Sequence, residues 1–179
     1  MGIFSAFKEI KKEKEKQKQY LLMSTEEMEA LDDEELSLVL EKRVFFYESY
    51  LDVGGILESF EGAKRVYYIV NSFDREVQNG GLCQYFVNSS KETAPFLMDA
   101  LKTIGAHQYV ELLEAFLKDN EIDLNDLSSF AIRKISEYQK QLARYPFDEF
   151  DDAYYDLYEE VAIDDLLFAY AKLHLEDFK

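Results

Sequence analysis

Residues 62–88 of the chain read GAKRVYYIVNSFDREVQNGGLCQYFVN and contain a helical pattern followed by a break. The apolar residues before the break recur every three or four positions, which predicts a helix over about 62–78 with one buried face: Val66, Ile69, Val70, Phe73 and Val77. Asn79-Gly80-Gly81 should end this helix, because Gly and Asn tolerate the left-handed conformation that helix C-termini often need. A short second helix is then predicted over 82–88.

Helix start and stop signals continue on both sides of this segment. Ser24 or Thr25 is predicted to cap the start of a short acidic helical turn. Asp32 or Asp33 should cap the start of a longer helix, which should end at Gly54-Gly55. Further helices are predicted at about 95–104, with Pro95 in the first turn, at 107–118 and at 126–144. Residues 147–178 should form two helices or one bent helix.

The sequence therefore predicts an all-α protein, a single compact bundle of about seven or eight helices. No strand alternation and no repeat is visible. A Lys/Glu-rich helix or tail is expected over 1–23, and an acidic helical domain over 24–179. Four apolar residues of the first segment lie at helical spacing and should dock on the body of the protein or on a second copy, with a membrane surface as the weaker alternative: Ile3, Phe4, Phe7 and Ile10.

Composition limits the classes of function. The 179 residues include 37 Asp and Glu against 20 Lys and Arg, a net charge of −17. Such a charge disfavours direct binding of nucleic acid, which requires clustered cations, and favours a basic protein partner. Neither an export signal nor a stretch of about 20 apolar residues is visible, so a cytoplasmic protein is expected.

The sequence offers little material for a metal site or for catalysis. Asp119 opens a segment that resembles a calcium loop, but Leu124 stands where that loop needs Gly and Phe130 where it needs Glu. Neither His107 nor His174 has a Glu three residues before it, as di-iron bundles require. Cys83 lies among apolar residues, where an inert thiol is usual. We therefore predict no metal, no cofactor and no enzymatic activity.

Carboxylates recur every four residues near the C-terminus, which places them on one face of a helix. Nine acids and no Lys or Arg occur in residues 148–165. A helix of that length spans about 27 Å, so one charge falls every ~3 Å, close to the 3.4 Å of a DNA strand. Such a row is either a solubilising surface or a surface for a basic partner. The predicted partner-binding residues are Asp148, Asp151, Asp152, Asp156, Glu159, Glu160, Asp164 and Asp165, with Asp32, Asp33, Glu34 and Glu35 as a second patch.

One motif resembles a known family. The residues that carry it are Asn79, Gly80, Gly81, Gln84, Tyr85, Phe86 and Asn88. They match the N-G-G-F-x-Q-Y-F-x-N signature of a bacterial family of acidic DNA-mimic proteins, with Leu82 in place of the usual Phe. The resemblance covers roughly residues 32–178. It implies an all-helical homodimer whose surface carboxylates occupy the DNA-binding face of a transcription factor.

The signature itself is interpreted as architecture. Gly80 and Gly81 would permit a tight turn, Tyr85 and Phe86 would fill the core, and Gln84 or Asn88 would bond exposed helix ends. The leading hypothesis is therefore a non-enzymatic protein that binds a basic, DNA-binding partner. An immunity protein that neutralises a toxin is the alternative of the same class. An enzyme with a carboxylate or tyrosine cleft is the alternative of another class.

Overall fold

The computed structural model describes residues 15–179, the side chains of Ser49 and Ile135 excepted. Over this range the chain forms ten α-helices, four short 3-10 helices and no strand, which confirms the all-α class. The α-helices are α1 (15–22 within the described range), α2 (Thr25–Glu29), α3 (Asp33–Phe45), α4 (Val53–Ser59), α5 (Gly62–Val87), α6 (Ala94–Thr103), α7 (His107–Asp119), α8 (Ile135–Leu142), α9 (Phe147–Glu160) and α10 (Ile163–Lys172).

The number of helices exceeds the predicted seven or eight, because several helices are too short to show a periodic apolar pattern. Helix α2 has five residues and α4 has seven. Both begin at a capping side chain: Ser24 forms a capping box with Glu27, and Asp52 accepts a hydrogen bond from the Gly55 N–H at 2.8 Å. Local hydrogen bonds therefore define these helices rather than long stretches of sequence.

Helix α5 lies at the centre of the bundle and packs against α3, α6, α8, α9 and α10. Its aromatic side chains join those of other helices in the core. Phe73 lies 5.2 Å from Tyr85 and 5.8 Å from Tyr154 of α9, measured between ring centroids. Phe86 lies 4.9 Å from Phe130, which belongs to the 3-10 helix Ser128–Phe130. Burial of these large rings supplies much of the hydrophobic stabilisation.

The predicted break in α5 is confirmed. Helical geometry is interrupted at Gly80 and Gly81. Gly81 has φ +79° and ψ 174°, a combination that is essentially restricted to glycine. The helix resumes at Leu82, whose N–H donates a 2.8 Å hydrogen bond to Asp151 Oδ1 of α9. The break therefore starts a new helical segment whose first turn is capped by a carboxylate from another helix.

Two predicted helix boundaries are wrong. Helix α3 ends at Phe45, and Gly54-Gly55 lie in the first turn of α4 instead of ending α3. The helix predicted from Asp126 begins only at Ile135. Asp123 accepts a hydrogen bond from the Asn125 N–H, and Asp126 accepts one from the Ser128 N–H. Such short-range bonds stabilise turns in competition with a helix.

The N-terminal region joins the bundle within the described residues. Tyr20 of α1 is buried and donates a 2.9 Å hydrogen bond to Glu35 of α3. The predicted docking of Ile3, Phe4, Phe7 and Ile10 lies outside the described residues and stays a prediction, as does the domain boundary at 23. In the described part of the chain, no helix combines the length and apolar character that crossing a membrane requires.

Candidate functional site

One face of α9 is built from carboxylates. Successive residues of an α-helix are about 100° apart when viewed down the helix axis. In this view, six acidic side chains of α9 lie within an arc of about 120°. The opposite arc contains the buried residues Phe147, Phe150 and Tyr154. All six acidic residues are exposed, and together they are called the α9 file: Asp148, Glu149, Asp152, Asp156, Glu159 and Glu160.

The spacing of the α9 file remains close to that of DNA, although the row is shorter than predicted. Helix α9 has 14 residues, a length of about 21 Å, so six charges give one per ~3.5 Å. One strand of duplex DNA carries one per 3.4 Å. Val161 and Ala162 interrupt the helix, and Asp164 and Asp165 belong to the first turn of α10.

Nothing in the described part of the chain neutralises the α9 file. None of its six carboxylates forms an ion pair or a hydrogen bond with a described residue. The helix dipole favours Asp148 and Glu149 in the first turn of α9 but disfavours Glu159 and Glu160 in the last turn, so its effects on the file largely cancel. Three pairs of acids four residues apart add repulsion of about 1 kcal/mol in total. The arrangement therefore lowers the stability of the helix that carries it.

Asp151 also belongs to α9 but lies outside the α9 file, because its side chain faces α5 instead of the solvent. It is half-buried, and its carboxylate faces the break in α5, where Oδ1 accepts the Leu82 N–H. Burial raises the pKa of Asp151, and the hydrogen bond from Leu82 offsets part of that rise. The structure thus gives this predicted partner-binding residue a capping role inside the protein.

The second acidic patch is largely engaged with the protein itself. Asp32 is the N-cap of α3 and accepts the Glu35 N–H at 2.9 Å. Asp33 pairs with Lys172 of α10. Glu35 accepts the Tyr20 hydroxyl and lies 3.9 Å from the Lys16 ammonium. Of the four predicted residues in this patch, Glu34 alone makes no such contact with another residue of the range 15–179.

The structure brings the two acidic regions together in one groove. A cavity of about 630 Å³ lies between α3, α5 and α10. Six carboxylates line this acidic groove: Asp33, Glu34, Glu41, Asp74, Asp164 and Asp165. Glu41 and Asp74 were not predicted from the sequence, because neither belongs to a run of acids or to a regular acidic spacing. Among the described residues that line the groove, Arg75 is the only basic one, and it pairs with Glu48 at 3.8 Å.

Asp74 connects the groove to the aromatic core. Its Oδ1 accepts a 2.7 Å hydrogen bond from the hydroxyl of Tyr154. Burial raises the pKa of Asp74, the Tyr154 hydroxyl opposes that rise, and the nearby charge of Asp164 adds to it. The ionised carboxylate of Asp74 is therefore stabilised by the buried hydroxyl of Tyr154, and to a smaller degree by the Gln78 amide at 3.5 Å.

Replacing Tyr154 by Phe should make stability depend more strongly on pH. Without the hydroxyl, the pKa of Asp74 in the folded state rises further, so the ionised form is destabilised by about 1–2 kcal/mol. The decrease in the free energy of unfolding should be largest above the pKa of Asp74 in the folded state. It should shrink as the pH falls through that pKa. Urea unfolding at pH 8 and pH 4 measures this difference.

Tyr109→Phe is the matched control for that experiment. The Tyr109 hydroxyl donates to the Val161 carbonyl at 2.7 Å, and that acceptor does not titrate. The loss of stability caused by Tyr109→Phe should therefore be similar at pH 8 and at pH 4. If the Tyr154→Phe deficit is equally independent of pH, the role given to Asp74 is wrong.

The polar residues of the signature converge on Glu76 of α5. Its Oε2 accepts hydrogen bonds from Gln84 and Asn88, each at 2.8 Å, and its Oε1 accepts one from Ser90. Asn79 and Gln84 also line an adjoining polar cavity of about 680 Å³. The bonds tie the two halves of α5 to the 3-10 helix Ser89–Thr93, so they stabilise the chain around the break.

No metal centre or reactive thiol emerges from the described residues. They contain no cluster of three or more His, Cys, Asp or Glu side chains that could hold a metal ion. Cys83 is buried, which raises its pKa to about 12 and keeps the thiol protonated.

The comparisons with known proteins give one result. A profile of one family, described as DMP19-like protein, matches residues 58–174. This range is narrower than the expected 32–178; it includes the α5 signature and the α9 file but not the patch at 32–35. No curated protein and no solved structure matches the chain significantly.

Proposed function

Because the chain belongs to the DMP19-like family, we propose that it is a non-enzymatic DNA mimic. In this proposal the α9 file occupies the basic DNA-binding face of a partner protein. Asp164 and Asp165 continue the negative surface beyond the end of α9, toward the acidic groove. The partner is a DNA-binding protein met in the cytoplasm, and the mimic acts as a homodimer.

The observation that carries the proposal is the spacing of unneutralised charge on α9. A protein that binds DNA presents Lys and Arg side chains at positions that meet successive phosphates. Six exposed carboxylates at about 3.5 Å per charge can meet the same cations. A surface that served solubility alone could intersperse Lys and avoid the repulsion, whereas α9 contains no Lys or Arg.

Electrostatics also defines how the complex would form. Opposed charged surfaces steer association and set orientation, and salt screens exposed charges over about 8–10 Å. Binding should therefore weaken strongly between about 50 and 200 mM salt. Because the carboxylates replace phosphates as ligands of the partner, neither a metal nor a nucleophile is required.

Reversing two charges at the centre of the α9 file should abolish partner capture. The variant Asp152→Lys/Asp156→Lys places two cations against the basic face, so repulsion replaces attraction. Immobilised wild type, incubated with cell extract at ~50 mM salt, should retain a DNA-binding protein that duplex DNA elutes. The variant should retain none of it and should keep its helical circular dichroism spectrum.

The matched control is Glu58→Lys/Asp99→Lys, which changes the net charge equally on α4 and α6. Both residues are exposed, and neither forms an ion pair with a described residue. Capture by this control should be close to that of wild type. Equal loss in both variants would mean that only net charge matters, and unchanged capture in the first would contradict the proposal.

A further inference from the structure

In the described part of the chain, the charged residues of the core are cations that form no ion pair. Arg43 and Lys64 are the only charged side chains that are buried in the described part of the chain, at 3% and 8% exposure. The net charge of the whole protein is −17, so carboxylates are abundant elsewhere. Buried charges in proteins are normally paired with an opposite charge, because desolvation is costly.

Arg43 is satisfied by neutral groups. Its guanidinium donates to the carbonyl oxygen of Tyr20 at 2.7 Å, to that of Phe178 at 2.8 Å, and to that of Met23. It therefore joins α1 and the C-terminal 3-10 helix Leu175–Phe178 to α3. These bonds use one N–H on each guanidinium nitrogen, and the only described carboxylate that acts on the charge of Arg43 is Glu27, which does not form an ion pair with it.

Lys64 lacks such acceptors. Its Nζ atom lies 4.6 Å from the ring centroid of Phe60 and 5.1 Å from that of Tyr47. It forms no hydrogen bond or ion pair with any residue in the described range. Burial, and to a smaller degree the charge of Arg43, lower the pKa of Lys64. Cation–π contacts with two rings stabilise the ammonium, and its three N–H donors are free to bond a ligand that enters from solvent.

The rings and the ammonium open onto a cavity of about 640 Å³ at the start of α5. Helix α5 has 26 residues, and its N-cap, Glu61, makes no side-chain capping bond. Asp177 accepts the Ala63 N–H at 2.7 Å, so a carboxylate already occupies one first-turn donor. The helix dipole adds a positive potential at this end.

We propose that this cavity binds a small organic carboxylate with an apolar body, whose anionic group accepts hydrogen bonds from Lys64 Nζ. Lys179, the other basic residue that lines the cavity, pairs with Glu176, so the ammonium of Lys64 is the one available to match a single negative charge. Glu61 and Asp177 line the same cavity and repel anions in proportion to their charge, which disfavours doubly charged phosphate more than a singly charged carboxylate. The rings of Tyr47 and Phe60 supply apolar contact for the body of the ligand. This inference does not depend on DNA mimicry.

Benzoate is the test ligand, with benzamide as its neutral analogue and inorganic phosphate as the competing anion. At millimolar concentration benzoate should raise the melting temperature of wild type by a few degrees, because it binds only the folded state. Benzamide and phosphate should raise it far less. Nitrogen-15 NMR should place the benzoate-induced shifts at the start of α5.

Lys64→Met separates the proposed contact from a loss of folding. Removal of an unpaired buried charge should leave the variant at least as stable as wild type, yet its melting temperature should not respond to benzoate. Lys118→Met, at an exposed site on α7, should respond like wild type. The proposal is overturned if wild type does not respond to benzoate, or if benzamide, phosphate or Lys64→Met gives an equal response.

Discussion

The free energy of unfolding should fall by about 3 kcal/mol or more when Gly81 is replaced by Ala. Two effects add. The φ of +79° and ψ of 174° at Gly81 are strained for any residue with a Cβ atom. That Cβ atom would also overlap the Asp151 carboxylate, which must then move away from the Leu82 N–H. The half-buried cap would be lost along with its hydrogen bond.

Gly105→Ala is the matched control for this substitution. Gly105 has a similar φ of +78°, but a Cβ atom there would meet no atom within 4 Å. Backbone strain alone should reduce stability by about 1–2 kcal/mol. Urea unfolding followed by circular dichroism measures both variants. Equal losses at the two positions would show that the contact between α5 and Asp151 contributes little.

Neutralising the α9 file should weaken partner binding and stabilise the protein at the same time. The variant Asp148→Asn/Asp152→Asn/Asp156→Asn/Glu160→Gln removes four potential ion pairs of about 0.5–1 kcal/mol each. Affinity should therefore fall by roughly 30- to 1,000-fold at low salt. It also removes three repulsive pairs within α9, which should raise the free energy of unfolding by about 1 kcal/mol. Opposite effects on binding and stability are expected of a surface that serves binding at the expense of stability.

Titration calorimetry and urea unfolding measure these two effects separately. A control with four neutralised acids on α4, α6 and α7 uses Glu58→Gln, Asp99→Asn, Glu111→Gln and Asp119→Asn, all exposed. It should bind the partner nearly as well as wild type. If the α9 variant binds as tightly as wild type, the file is only a solubilising surface.

Much of the fold follows from local sequence. The break at Gly80 and Gly81, the caps at Ser24 and Asp32, and the Pro95 start of α6 each depend on residues a few positions apart. The predicted start of a helix at Asp126 was wrong because turns compete with a helix at Asp123 and Asp126. Which of the two conformations forms depends on the packing of the whole loop.

The exposed file was predictable for a related reason. Acids four residues apart on a helix with a buried aromatic stripe can only face outward. The roles of the other acids were not predictable, because their partners are distant in sequence. Asp151 meets Leu82 across 69 positions, and Asp33 meets Lys172 across 139. Such contacts exist only once α3, α5, α9 and α10 are packed together.

Competition between this protein and DNA for one partner tests DNA mimicry most directly. The measurement is the fluorescence anisotropy of a labelled duplex bound to the DNA-binding protein that wild type captures, titrated at about 50 and 200 mM salt. DNA mimicry predicts complete displacement of the duplex by wild type and weaker displacement at the higher salt. The variant with four neutralised α9 acids should displace the duplex only at concentrations roughly 30- to 1,000-fold higher. A ternary complex that retains the duplex, or equal displacement by that variant, would contradict DNA mimicry.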